Sequence, residues 1–203
     1  MQPFMMIKNL YEYFLKDTGL MTYPASDIGV FFKTNPNEKT PNAQIHFAPG
    51  AGEYKKNGAM RPSSGITASI CNLRPESRGH VELQSSDPSV APKIYANYLD
   101  KEKDIKSMIE GVNKIREVFK TPTMKNIGAT EIQPGSTYQT DNEIDSFIRN
   151  ESLSVYHPIG TCKMGNGTEC VVDQNLKVKG IESLRIADAS IFPSIISGNT
   201  NAT

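Results

Sequence analysis

The sequence predicts an α+β chain, a mainly antiparallel sheet with one long helix packed on it. Short β-prone runs bounded by glycine, proline and asparagine recur between residues 28 and 98. A single unbroken helical stripe follows at about 101–120, and no βαβ alternation, the mark of a parallel sheet, occurs anywhere. No internal repeat or low-complexity tract interrupts this order.

Phe4, Ile7, Leu10, Tyr11 and Phe14 recur at helical spacing, which predicts an amphipathic helix over 3–16. Thr18-Gly19 ends it, with the glycine suited to a left-handed cap. Residues 28–34, Ile-Gly-Val-Phe-Phe-Lys-Thr, read as a strand, and Gln44–Phe47 as a second that stops at Pro49-Gly50. A long polar loop is expected from there to Gly65, then a third strand over 66–73 with Ile66, Ala68 and Ile70 on one face. In the next strand Val81 and Leu83 alternate with His80, Glu82 and Gln84, predicting one buried and one wet face. Residues 92–98 are extended. Asp100 is the expected N-cap of the long helix, whose stripe is Ile105, Met108, Ile109, Val112, Ile115 and Phe119. Pro122 stops it. Thr140 and Glu143 predict a capping box on a short helix carrying Ile144, Phe147 and Ile148.

With 22 Lys and Arg against 22 Asp and Glu, the net charge is zero. That removes the electrostatic footprint of a nucleic-acid or anionic-membrane surface. No apolar run approaches the roughly 20 residues that span a bilayer, and the apolar start lacks a basic flank and a small-residue cleavage site. Cys71, Cys162 and Cys170 are odd in number and show no CxxC spacing, so neither a disulfide framework nor a zinc site is expected.

Chemistry-bearing side chains concentrate after residue 154. His157 lies in the turn Tyr156-His157-Pro158, and on spacing alone it is either a structural turn residue or a general base. No G-x-S-x-G elbow accompanies it, and no companions stand at metal-ligand spacing. Asp188-Ala189-Ser190 follows an apolar strand, Ser183–Ala187. It is either a plain N-cap or a set of N–H groups for a phosphate. Asn199 and Asn201 flank Thr200, where amides serve equally as turn formers or as partners of a flavin edge or substrate hydroxyl. Arg74 and Arg78 either clamp an anion or tie down loop backbone.

Four runs together resemble one family. Tyr156-His-Pro-Ile-Gly-Thr-Cys-Lys-Met-Gly165, Val171-Val-Asp173, Leu184–Pro193 and Gly198–Ala202 are similar to the C-terminal signature of the glucose–methanol–choline (GMC) flavoprotein oxidoreductases. Arg74-Pro-x-Ser-Arg-Gly79, Asp87-Pro88, Pro92 and Asn97-Tyr-Leu99 resemble the family's substrate domain, closest to its choline and alcohol dehydrogenase branch. The resemblance implies FAD-dependent oxidation of a primary alcohol to the aldehyde. His157 takes the place of the base and Asn199 that of the residue holding the substrate oxygen. Tyr156, Asp188, Ala189, Asn199 and Thr200 would contact the flavin. It also implies a substrate-binding domain over 1–150 and, over 151–203, the C-terminal active-site segment of an FAD-binding domain. The family's G-x-G-x-x-G fingerprint occurs nowhere in these residues. The expectation is therefore a fragment that alone binds FAD weakly and is inactive. The alternative is a non-catalytic binding module that keeps the fold.

Overall fold

The computed structural model describes residues 3–22, 26, 28–54 and 60–202. Helix α1, Pro3–Lys16, opens the chain. Its end differs from expectation: Asp17 (φ 50°) already takes the left-handed conformation before Gly19 (φ 90°).

A three-stranded antiparallel sheet follows, in the order β1 (Ile28–Phe32), β2 (Ala43–Tyr54), β3 (Met60–Asn72). The polar stretch expected as a loop between Pro49 and Gly65 is instead mostly ladder. β2 and β3 pair from Ala43↔Asn72 to Tyr54↔Met60, with a register shift between Pro49 and Ala51. Gly50 there has φ 99°, a conformation open to glycine, so the bulge absorbs the break and pairing resumes. The glycines and prolines that read as breakers sit in a two-stranded extension that backbone pairing carries through, and the Thr67 hydroxyl donates to Gly50 O at the bulge.

β4 (His80–Glu82) and β5 (Lys93–Tyr95) form a separate antiparallel ribbon. The buried face expected there is not found: Val81 is 48% and Leu83 89% exposed. Among the described residues this ribbon carries no second layer, so alternation had nothing to pack against.

Helix α2, Glu102–Phe119, lies on the sheet, and α4, Asp141–Glu151, lies on α2. Ile105, Ile109, Val112, Ile144 and Ile148 form the core cluster, with Ile70, Leu99, Met108, Tyr138 and Phe147 packed against it. Gly111 permits the close approach of β3, because a Cβ there would sit 2.4 Å from Ile70 Cγ1. The N-cap of α2 is Lys101, not Asp100, and its side chain makes no cap bond. The Ser77 hydroxyl accepts the Lys101 N–H instead. α2 ends before Pro122, which also opens the short helix α3, Pro122–Asn126. The capping box on α4 forms as expected between Thr140 and Glu143. No helix among the described residues is long and apolar enough to cross a membrane.

Candidate active site

Residues 154–202 contain only single-turn helices and isolated β-bridges, and they are fixed by backbone stitching. Cys162 N–H donates to Ser190 O at 3.0 Å and Met164 N–H to Ile191 O at 2.8 Å. These two bonds lay the run after His157 alongside the run after Asp188. Bridges from Met164 to Val172 and from Val172 to Val178 close a small knot around the fully buried Val172. Gly165 approaches so closely there that a Cβ would lie 2.7 Å from Cys170 Sγ.

His157 is half-buried and bonded at both ring nitrogens. Nδ1 lies 3.0 Å from Thr200 Oγ1 and Nε2 lies 3.1 Å from Asn199 Oδ1. With Oδ1 as acceptor, Nε2–H donates to Asn199 and Nδ1 accepts from the Thr200 hydroxyl. Two residues adjacent in sequence thus grip one imidazole from its two edges. Tyr156 sets the angle of approach: its φ is 60°, and its N–H donates to Ser154 Oγ at 3.0 Å.

Beside this pair runs an open groove of about 430 Å³. Leu176, Ala187, Ile191 and Phe192 supply its apolar lining, and Asp188, Ala189, Thr200 and Asn201 the rest. Asp188 caps the three-residue turn Ala189–Ile191, so the N-cap reading of this motif is realised. Oδ1 accepts the Ser190 N–H at 2.8 Å and the Ser190 hydroxyl. The hydroxyl first, then the amide, holds the Asp188 carboxyl below the usual carboxylate range. Tyr156 does not line the groove; its side chain is exposed. A larger open groove of about 550 Å³, between Asp173 and Arg185, shares no residue with the first. Three of its charged side chains serve loop closure: Asp173 Oδ1 accepts the N–H groups of Asn175 and Lys177, Lys179 Nζ donates to Gly167 O, and Arg185 Nε donates to Asn175 O.

The structure therefore brings His157, Asn199 and Thr200 into contact and places Asp188 and Ala189 on the groove that Thr200 lines. The contributions of Leu176 and Phe192 were not foreseen, since an isolated leucine or phenylalanine in a loop carries no spacing signal. Arg74 and Arg78 serve backbone: Arg74 donates to Leu73 O and Ile195 O, Arg78 to Pro75 O and Ser77 O. All three cysteines are free, and burial pushes the Cys71 thiol up. Among the described residues no group of His, Cys, Asp and Glu is arranged to hold a metal ion.

The chain is similar to known proteins over nearly its whole length. An alcohol dehydrogenase [acceptor] from Pseudomonas putida is 40% identical over 195 residues, covering 95% of this chain and 35% of the relative. An oxygen-dependent choline dehydrogenase from Chromohalobacter salexigens is 38% identical over 191 residues, covering 94% of this chain and 34% of the relative. Among solved structures, an FAD-dependent oxidoreductase from Chaetomium thermophilum superposes with a TM-score of 0.66 at 30% identity. That match covers 81% of this chain and 26% of the other. The chain thus spans about a third of the length of the curated relatives it matches. The family model described as GMC oxidoreductase matches residues 75–203, and the chain belongs to that family.

Proposed function

We propose that this chain carries the base and the substrate-orienting amide of an FAD-dependent oxidoreductase acting on a primary alcohol, choline-like or other. The observation that carries the reading is the His157 ring held between Thr200 and Asn199 beside the groove. The names of the two relatives, an alcohol and a choline dehydrogenase, support the substrate class.

The residues present fit one side of a flavin. The groove is apolar enough for a ring system, and its polar lining suits hydroxyls and amides. Asp188 Oδ1 is occupied by Ser190, so the carboxylate would meet the hydroxyl-bearing chain of FAD through its other oxygen. A carboxylate repels phosphate, which makes the Asp188–Ala189 turn a ribityl or ribose contact and not a pyrophosphate cradle. Thr200 and Ala189 would hold the neighbouring edge. FAD, when bound, supplies the hydride acceptor.

The protein's own part is a proton transfer and an orientation. Thr200 is half-buried, whereas Asn199 is exposed, so Asn199 is the partner that gives way to an incoming hydroxyl. Thr200 Oγ1 accepts as readily as it donates, so once the substrate hydroxyl replaces Asn199 at Nε2 the ring adopts its other tautomer, with the proton on Nδ1 and Nε2 free to accept. His157 Nε2 then takes the hydroxyl proton while the Asn199 amide donates to the same oxygen and fixes its direction.

In the FAD-loaded full-length protein, His157→Ala is expected to slow flavin reduction by roughly two to four orders of magnitude, the scale of a lost general base. Stopped-flow bleaching of the flavin by an alcohol measures it. An unchanged reductive half-reaction removes His157 from this role.

A further inference from the structure

The two arms of the site, the run through His157 and the run through Asn199, are stitched at Cys162–Ser190 and Met164–Ile191 and meet again at the His157 ring, and neither belongs to a long helix or strand. Two side chains from the first hundred residues reach into them. Tyr98 Oη donates to Ser154 Oγ at 3.5 Å, and that oxygen also accepts the Tyr156 N–H, one residue from His157. On the other arm, Arg74 Nη1 donates to Leu73 O at 3.1 Å and to Ile195 O at 3.3 Å, four residues before Asn199.

Arg74 is itself anchored. Its N–H donates to Asn72 Oδ1 at 3.0 Å, and Asn72 Nδ2 donates to Oδ1 of the buried Asp104 at 3.3 Å. Leu73 beside it is buried, with its N–H on Asn42 O at 2.8 Å. No carboxylate lies within ion-pairing range of the Arg74 guanidinium among the described residues. The charge is committed to two carbonyl oxygens, one on the sheet end and one on the Asn199 arm. A hydrogen-bonded line therefore runs from the core of the sheet–helix layer to Ile195, four residues before the side chain that bonds the His157 ring.

We propose that Arg74 is a positioning residue that sets the Asn199 arm against His157. The proposal rests on the catalytic reading of His157 and Asn199 given above. Without the tether, the segment between the Met164–Ile191 backbone bond and the His157 contacts of Asn199 and Thr200 loses its bond to the sheet end, and the amide of Asn199 samples directions from which it cannot hold the substrate oxygen. An error of about 1 Å in such placement is enough to slow a well-oriented reaction.

The test uses the FAD-loaded full-length protein with Arg74→Ala, Arg74→Lys, Asn199→Ala and the Arg74→Ala/Asn199→Ala pair. Arg74→Ala is expected to lower kcat/KM for the alcohol about tenfold, the rate equivalent of one charge-assisted hydrogen bond. In the pair, the Arg74 change should add almost nothing to Asn199→Ala, because a tether has no effect once the tethered group is gone. Arg74→Lys, whose ammonium reaches both carbonyls, should restore most of the rate. Amide exchange at Ile195–Thr200 should quicken in Arg74→Ala and stay near wild type in Arg74→Lys. This readout is independent of catalysis, so it reports on the tether even if His157→Ala leaves flavin reduction intact and the catalytic reading fails. Fully additive losses in the pair, or exchange at 195–200 that ignores Arg74, overturn the proposal. If Arg74→Ala does not accumulate as folded protein, Arg74→Gln carries the same comparisons.

Discussion

Asp104 stands on the first turn of α2, only 2% exposed, with four donors converging on its carboxylate. Glu76 N–H and Ser77 N–H each donate at 2.8 Å, Ser77 Oγ at 2.5 Å and Asn72 Nδ2 at 3.3 Å. Burial pushes this carboxyl up, but the hydrogen bonds from Ser77, Glu76 and Asn72 together outweigh it and hold the group below its ordinary value of 3.8. A proton binds the folded protein less tightly than the unfolded chain. The stabilisation is therefore complete above the ordinary carboxylate value and is lost as pH falls through the lower folded one. Asp104→Asn removes the charge and leaves the 76–77 amides with weaker acceptors, at a cost of about 2 kcal/mol near neutral pH. The deficit should begin to shrink as pH falls below the ordinary carboxylate value, where the unfolded chain takes up its proton, and vanish only once the folded carboxyl is protonated too. Denaturant midpoints at pH 7, 5 and 3 measure it, and parallel curves for the two proteins contradict it. In the sequence Asp104 was one more charge off the apolar stripe. Its partners lie 27 to 32 residues away, at the end of β3 and on the loop that follows, whose path no periodicity encodes.

The elements that were legible are those whose own residues settle their structure. α2 was expected at about 101–120 and runs Glu102–Phe119, because a six-residue stripe at helical period has one buried solution. The α4 capping box needs only Thr140 and Glu143. The β2–β3 ladder was hidden for the opposite reason: Pro49, Gly50, Gly52 and Gly65 read as breakers, and what joins them is a partner strand across the hairpin. Gly111 shows the same limit within a helix. Gly111→Ala gains about 1 kcal/mol of helix propensity. It also drives a methyl to within 2.4 Å of Ile70 Cγ1 and 2.6 Å of Ile70 Cδ1, an overpacking that costs about 1–3 kcal/mol. The net expectation is a destabilisation of about 1 kcal/mol, read from chemical unfolding; a stabilised variant would show that α2 and β3 separate freely. The site divides along the same line. His157 and Asn199 were legible through family-like motifs, while the two-edged grip with Thr200 and the Arg74 tether depend on how distant loops meet.

At the scale of the molecule, the accessible surface is 14909 Å². A compact monomer of this mass exposes about 9,400 Å². Apolar side chains of α1 and β1, among them Ile7, Leu10, Phe14 and Phe31, face outward. Most of the fully covered core lies where the sheet, α2 and α4 meet, with Cys170 and Val172 the buried hydrophobic pair in residues 154–202. Stability is thus unevenly distributed, and native-state hydrogen exchange should show the amides of Cys162, Met164 and Gly165 opening before those of β2, β3 and α2. Equal protection in the two regions would refute this. The Arg74–Ile195 bond then acquires a kinetic meaning. It closes a loop of 121 residues, whereas the His157–Asn199 contact closes one of 42. Loop-closure entropy makes the longer closure dearer by about 1 kcal/mol in an unfolded chain. Once the sheet–helix layer has formed, most of that separation is already spanned by structure, so the tether can form late and cheaply. The His157–Asn199 contact is expected to assemble as a terminal event of folding, on a scaffold that is complete before it.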